Sequence, residues 1–171
     1  SSSKPAGAKA LVGYGLYDGA DFSLQVPKDW ETISDAKFRS DMPKGTVVAF
    51  RNNVRDVRFT ANIAVIKNNL TEAISSLDYA KALQKKVSND LGAYKEYSAD
   101  KTKINIAGKE EDSLYLYFEG RESADSDVKR FMQFSGVNGK TAYIVTGAFL
   151  WSEGVGMEKK LDTAVKSFLV K

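Results

Sequence analysis

The chain has 171 residues, is 43% hydrophobic and 27% charged, carries a net charge of +3 at pH 7, and has no cysteine or histidine. That length can bury a core without disulfides or metals. The missing residue types exclude Cys-His dyads, the usual Ser-His-Asp triad, Cys/His zinc sites and thiol redox chemistry. Lysine and arginine are interspersed with nearly as many acids, unlike the one-sided basic face of a nucleic-acid binder, and no apolar run reaches the eighteen or so residues of a membrane-spanning helix.

Residues 1–10, SSSKPAGAKA, are small and polar and read as a flexible tether. Such a tether suits a chain released from a targeting segment or hung from a lipid-anchored cysteine; the plain alternative is a disordered terminus. Residues 11–171 are expected to form a single domain. Leu11–Tyr14 reads as a short strand and Tyr17-Asp18-Gly19-Ala20 as a turn. Phe22–Val26 alternates apolar and polar side chains, as a half-buried strand does, and Pro27 ends its ladder. Trp30 is expected to cover the end of the core.

Residues 31–45 predict no regular element. Thr46–Arg51 and the β-branched run Phe59–Ile66 are strands, joined by a turn at Asn52–Asp56. Leu77, Ala80, Leu83, Val87 and Leu91 recur at helical spacing, with Ser76 as expected N-cap and Gly92 as left-handed stop. Strands follow at Lys95–Ile106 and Ser113–Phe118, joined through Ala107-Gly108. Residues 130–149 read as two strands around Asn138-Gly139, a strong hairpin signal. Met157, Leu161, Ala164, Val165 and Phe168 mark a second amphipathic helix starting near Ser152–Val155. Consecutive hairpins with two helices predict an α+β fold: an α/β/α sandwich with a mainly antiparallel central sheet.

These pieces, in this order, resemble the PsbP family. The resemblance rests on Tyr17-Asp-Gly with Phe22-Ser-Leu-Gln-Val-Pro-Lys-Asp-Trp30, Val47-Val-Ala-Phe-Arg51 and Ala61-Asn-Ile-Ala-Val65. It continues through the helix ending at Leu91-Gly92, the Phe134–Thr146 hairpin and the terminal Leu161–Phe168 helix. It implies a sheet between helices, a fold shared with a nuclear-transport factor that binds the GTPase Ran. It also implies action by binding and assembly rather than catalysis, as in the extrinsic lumenal proteins that support photosystem II. Related stand-alone domains occur in secreted or lipid-anchored bacterial proteins. The histidines that ligate metal in some relatives are absent here.

The residues offer few rival chemistries. Gly136-Val-Asn-Gly-Lys-Thr141 mimics the end of a phosphate loop, but Phe134 stands where that pattern needs glycine, so a hairpin is expected. Glu122, Asp125 and Asp127 lack the glycine and glutamate of a calcium-binding loop, and Glu110-Glu111-Asp112 lies at a turn. The Tyr115/Tyr117 strand is expected to pack in the core. Arg51, Arg55, Arg58 and Lys67 form the densest basic stretch and the candidate partner-binding patch, facing an acidic protein surface or anionic headgroups. The functional expectation is a non-enzymatic, monomeric, extracytoplasmic domain (periplasm, cell surface or thylakoid lumen) that binds or assembles a protein or membrane-associated complex. No cofactor, bound metal or nucleic acid is expected. The alternative is a small-ligand or metal-ion binder using a cleft between sheet and helix.

Overall fold

The computed structural model describes residues 9–34 and 42–171. The expected tether therefore lies, up to residue 8, outside the described residues. Its last part is tied down rather than free: the buried Gln25 side chain accepts from the Leu11 amide and donates to the Lys9 carbonyl, each at 3.0 Å.

The described residues form ten strands and two α-helices. In chain order the strands are β1 (Tyr14–Asp18), β2 (Phe22–Pro27), β3 (Glu31–Ser34), β4 (Thr46–Arg51) and β5 (Asn62–Asn69), then β6 (Gly92–Ile106), β7 (Lys109–Arg121), β8 (Lys129–Asn138), β9 (Thr141–Phe149) and β10 (Leu169–Val170). Helix α1 (Ser76–Asp90) joins β5 to β6, and α2 (Gly154–Lys166) follows a short 3-10 turn at Trp151–Glu153. All ten strands share one sheet in the order β1-β2-β10-β6-β7-β8-β9-β5-β4-β3. Every pairing is antiparallel except the single β10–β6 bridge, Val170 to Ile106.

Strand alternation sends side chains to two separate cores. Leu114, Leu116 and Phe118 of β7 pack with Ala80 of α1, whereas Tyr115 packs with Phe134, Leu161 and Val165 in the larger cluster around α2. One helix therefore covers each face, and the sheet dominates. The sheet also curls around α2: rings from strands far apart in its order meet, Tyr17 with Phe50 at 5.2 Å and Phe22 with Tyr143 at 6.1 Å between centroids. Gly147 permits the close approach of α2, since a Cβ there would lie 3.2 Å from both Leu161 and Val165.

Several local expectations shift. The N-cap of α1 is Ser75, whose hydroxyl accepts from the Asp78 amide at 3.1 Å. Ser76 instead points inward and bolts the helix to the sheet, accepting from the Val137 amide at 2.9 Å and donating to Glu111 at 3.0 Å. Gly92 opens β6 instead of stopping the helix, and the left-handed residue is Ala93. The first strand runs later than expected, through Tyr17 and Asp18. So does β5, because Asp56 holds residues 56–60 in a loop: its carboxylate accepts from the amides of Arg58 at 2.7 Å and Phe59 at 3.3 Å, and its own amide donates to Thr60. In the β8–β9 hairpin the loop residues are Gly139-Lys140, with Asn138 paired to Thr141. Positive φ at Gly139 suits a type II′ turn.

Candidate functional site

Antiparallel strands put the connections at two ends of the sheet. One end holds the turns at Ala107-Gly108 and Gly139-Lys140, the segment from Leu70 to Ser75 and the connection from β3 to β4, of which residues 42–45 are described. The other holds the connections 52–61 and 122–128 and the 150–153 junction into α2. Of the nine exposed large hydrophobic side chains among the described residues, only Ile74 lies at the first end. Val57 is fully exposed, Val54 is 70% exposed, Val155 67% and Trp151 46%.

The long loops at that second end are held by specific contacts. Asn52 and Ala61 close the 52–61 loop through a 2.9 Å backbone bond, and the Asn52 side chain accepts from the Val54 amide at 3.2 Å. Arg58 ties it to the 122–128 loop, with Nη2 3.1 Å from Asp127 Oδ1. That hydrogen bond, with the attraction of the same carboxylate, holds the Arg58 pKa above its ordinary value. Glu153 at the head of α2 has its pKa raised, first by burial and then by Asp56, so the two elements are electrostatic neighbours. Arg130 stacks over Trp151 at 3.7 Å and Tyr97 at 4.5 Å, an arrangement that stiffens the junction.

The four basic residues singled out in the sequence divide. Arg51 and Arg55 converge on Glu31, at 2.7 and 3.1 Å, and with Arg58 they lie at the loop end. Lys67 is carried by β5 towards the tight-turn end, where it pairs with Asp21 at 3.1 Å; that hydrogen bond raises its pKa. Each of the four thus meets a carboxylate of its own chain. Glu122 contacts Lys129 at 3.5 Å, and Asp127 is taken by Arg58. No group of three or more acidic side chains among the described residues is placed to hold a metal ion. Sequence reasoning missed the exposed valines. Val54 lies inside the expected Asn52–Asp56 turn and Val57 just beyond it, and only the Asp56 turn reveals their outward display.

A second feature lies between sheet and helix. A cleft of about 410 Å³ is bounded by β6, β7, β8 and α2. Its tyrosines do not simply pack. Tyr115 donates to Asp162 at 2.8 Å and Tyr117 donates to Glu158 at 2.5 Å. Carboxylates four apart on a helix rise about 6 Å, and tyrosines two apart on a strand rise about 6.7 Å, so the two rungs match. Each rung also ends in a cation: Lys166 lies 3.2 Å from Asp162 and over the Tyr115 ring, and Arg130 donates to the Tyr117 oxygen at 3.0 Å and lies 3.7 Å from Glu158. Burial, reinforced by these carboxylates, pushes the Tyr117 hydroxyl up to about 12 and that of Tyr115 higher still. Trp30 lines a separate hollow of about 220 Å³ with Tyr17, Val26 and Phe50, half-buried against the main core.

No protein-family model and no curated protein matches the chain. Solved structures do. The chain is similar to the cyanobacterial PsbP (CyanoP) of Synechocystis, at a TM-score of 0.62 and 15% identity, over 100% of this chain and 98% of that one. It is similar to LpqN of Mycobacterium tuberculosis, described as involved in cell envelope biogenesis, at 0.61 and 16% over 92% and 90%. It is similar to the Saccharomyces cerevisiae Ran-binding protein Mog1p, at 0.59 and 12% over 92% and 95%. The chain has the PsbP-like fold, which it shares with a Ran-binding protein.

Proposed function

We propose that this is a non-enzymatic, extracytoplasmic binding domain that docks a protein partner, or helps assemble a membrane-associated complex, through the loop end of its sheet. The observation that carries this reading is the gathering of exposed apolar side chains at that end, with Val57 fully in water. Exposed apolar clusters on soluble domains mark interaction sites. The rim favours a protein over anionic headgroups: Arg51, Arg55 and Arg58 are matched in number by Glu31, Asp127 and Asp56, leaving no net basic field to draw a charged membrane. Those arginines serve as a polar border that orients the partner. One fold neighbour, described by cell envelope biogenesis, supports an extracytoplasmic setting, and another, described by Ran binding, supports a binding role. The absence of histidine and cysteine supports binding over catalysis.

A photo-crosslinking residue at position 57, in membrane extract of the native source, tests the reading. It is expected to give a discrete adduct that the same residue at Lys140, at the other end, does not give. Equal labelling from both positions would count against it. The cleft beneath α2 favours a second reading, capture of a small ligand, because about 410 Å³ falls within the range of ligand pockets.

A further inference from the structure

We infer that the cleft beneath α2 binds a small zwitterion, a free α-amino acid or a dipeptide, with its ammonium group on Asp100 and its carboxylate on Lys159. This rests on the small-ligand reading of the cleft, which shares Val155 with the loop end.

The inference comes from accounting for charge inside the cleft. Asp162 is satisfied by Tyr115 and Lys166, and Glu158 by Tyr117 and Arg130. Both rungs are closed. Two charged groups on the lining are left over: Asp100 and Lys159 have no ion-pair partner among the described residues. They come from opposite walls, Asp100 from β6 and Lys159 from α2. Asp100 stands directly across from Tyr115 in the β6–β7 register, on the same face of the sheet. Its neighbours Lys101 and Lys103 point the other way and are engaged with Asp112.

Met132 on β8 and Val155 on α2 add apolar surface to the same lining. A cleft with an apolar wall and a few convergent polar groups is the usual form of a small-molecule site. A ligand with one charge answers only one of the free groups. A ligand with an ammonium and a carboxylate answers both, and an aliphatic side chain or second residue can lie against Met132 and Val155. Selectivity then arises because each single-charge analogue forfeits one charge-assisted contact.

Isothermal titration with four probes decides the matter: L-leucine, the dipeptide glycyl-leucine, isoamylamine (leucine without its carboxylate) and 4-methylvalerate (leucine without its ammonium). Leucine or glycyl-leucine is expected to bind at least about tenfold tighter than either single-charge analogue, the worth of one lost charge-assisted contact. Asp100→Asn and Lys159→Met should each weaken that binding about tenfold, with the melting temperature of the free protein unchanged because both side chains reach solvent. Binding of an analogue as tightly as the zwitterion overturns the zwitterion and leaves the cleft a ligand site. Zwitterion binding that neither substitution weakens overturns the assignment to Asp100 and Lys159. Failure of all four probes to bind overturns this inference, while the small-ligand reading falls only if the cleft also takes no ligand of other chemistry.

Discussion

The two ends of the sheet are made by the same strands, but particular connections at each are built differently. At one end Ala107-Gly108 and Gly139-Lys140 close their hairpins in two residues each, and Ser76 locks the start of α1 to β8. At the other, the chain spends residues 52–61 and 122–128 on loops, pins them with Asp56, Asn52 and the Arg58–Asp127 pair, and displays Val54, Val57 and Trp151. A connection that only reverses the chain needs no more than a tight turn. A longer loop held by its own hydrogen bonds, with valine facing water, has spent ordering entropy on a surface that does nothing for the core. On the proposed reading, the tight hairpins serve the fold and the pinned loops serve as the docking surface.

Damage to the tight turns is expected to change stability and not binding. Ser76→Ala should have the largest effect, about 2–3 kcal/mol, because it strands the buried Val137 amide; the loss is read from the denaturant midpoint. Partner capture at temperatures where the variant stays folded should equal that of the parent protein, and loss of capture there would break the comparison. Gly139→Ala should cost less, about 1 kcal/mol, since its φ of +63° strains any side chain, again with capture intact.

A smaller effect concerns α2, whose first turn carries Val155 at the loop end. The Tyr117 hydroxyl that helps hold it has its pKa raised, so its contribution to stability is fully present below the unfolded tyrosine value of about 10. Above that pH the unfolded chain ionises while the folded Tyr117 stays protonated until about 12. Urea midpoints should therefore fall between about pH 10 and 12, and Tyr117→Phe should make that fall shallower. An unchanged slope would remove the Tyr117–Glu158 rung from the account.

Much of the fold was legible in the sequence because its signals are local. The 3.6-residue apolar spacing found both helices, the Pro27 stop ended β2 where expected, and Ala107-Gly108 turned β6 into β7. What escaped was short or cooperative. β10 has two residues and β3 four, with Ile33 the one buried side chain of the latter, too few for a periodic pattern to emerge. Ser75 and Ser76 are indistinguishable as caps until tertiary contact with Val137 pulls the second one inward. The basic stretch was visible, but its pairing with Glu31, Asp127 and Asp21 depends on residues up to 69 positions away. A cleft between sheet and helix was anticipated, but its polar lining was hidden for the same reason: Tyr115 and Tyr117 pack at the core as expected, and only the placing of α2 brings Asp162 and Glu158 to their hydroxyls. Trp30 does cover the core, half-buried beside Tyr17 and Phe50.

The most direct test of the central claim is the double variant Val54→Asp/Val57→Asp in affinity capture from membrane extract, with thermal unfolding measured in parallel. Both side chains are exposed, so the melting temperature should not change, while capture of the partner that crosslinks from position 57 should fall at least about tenfold. Undiminished capture by a folded double variant would contradict the assignment of the loop end as the docking surface.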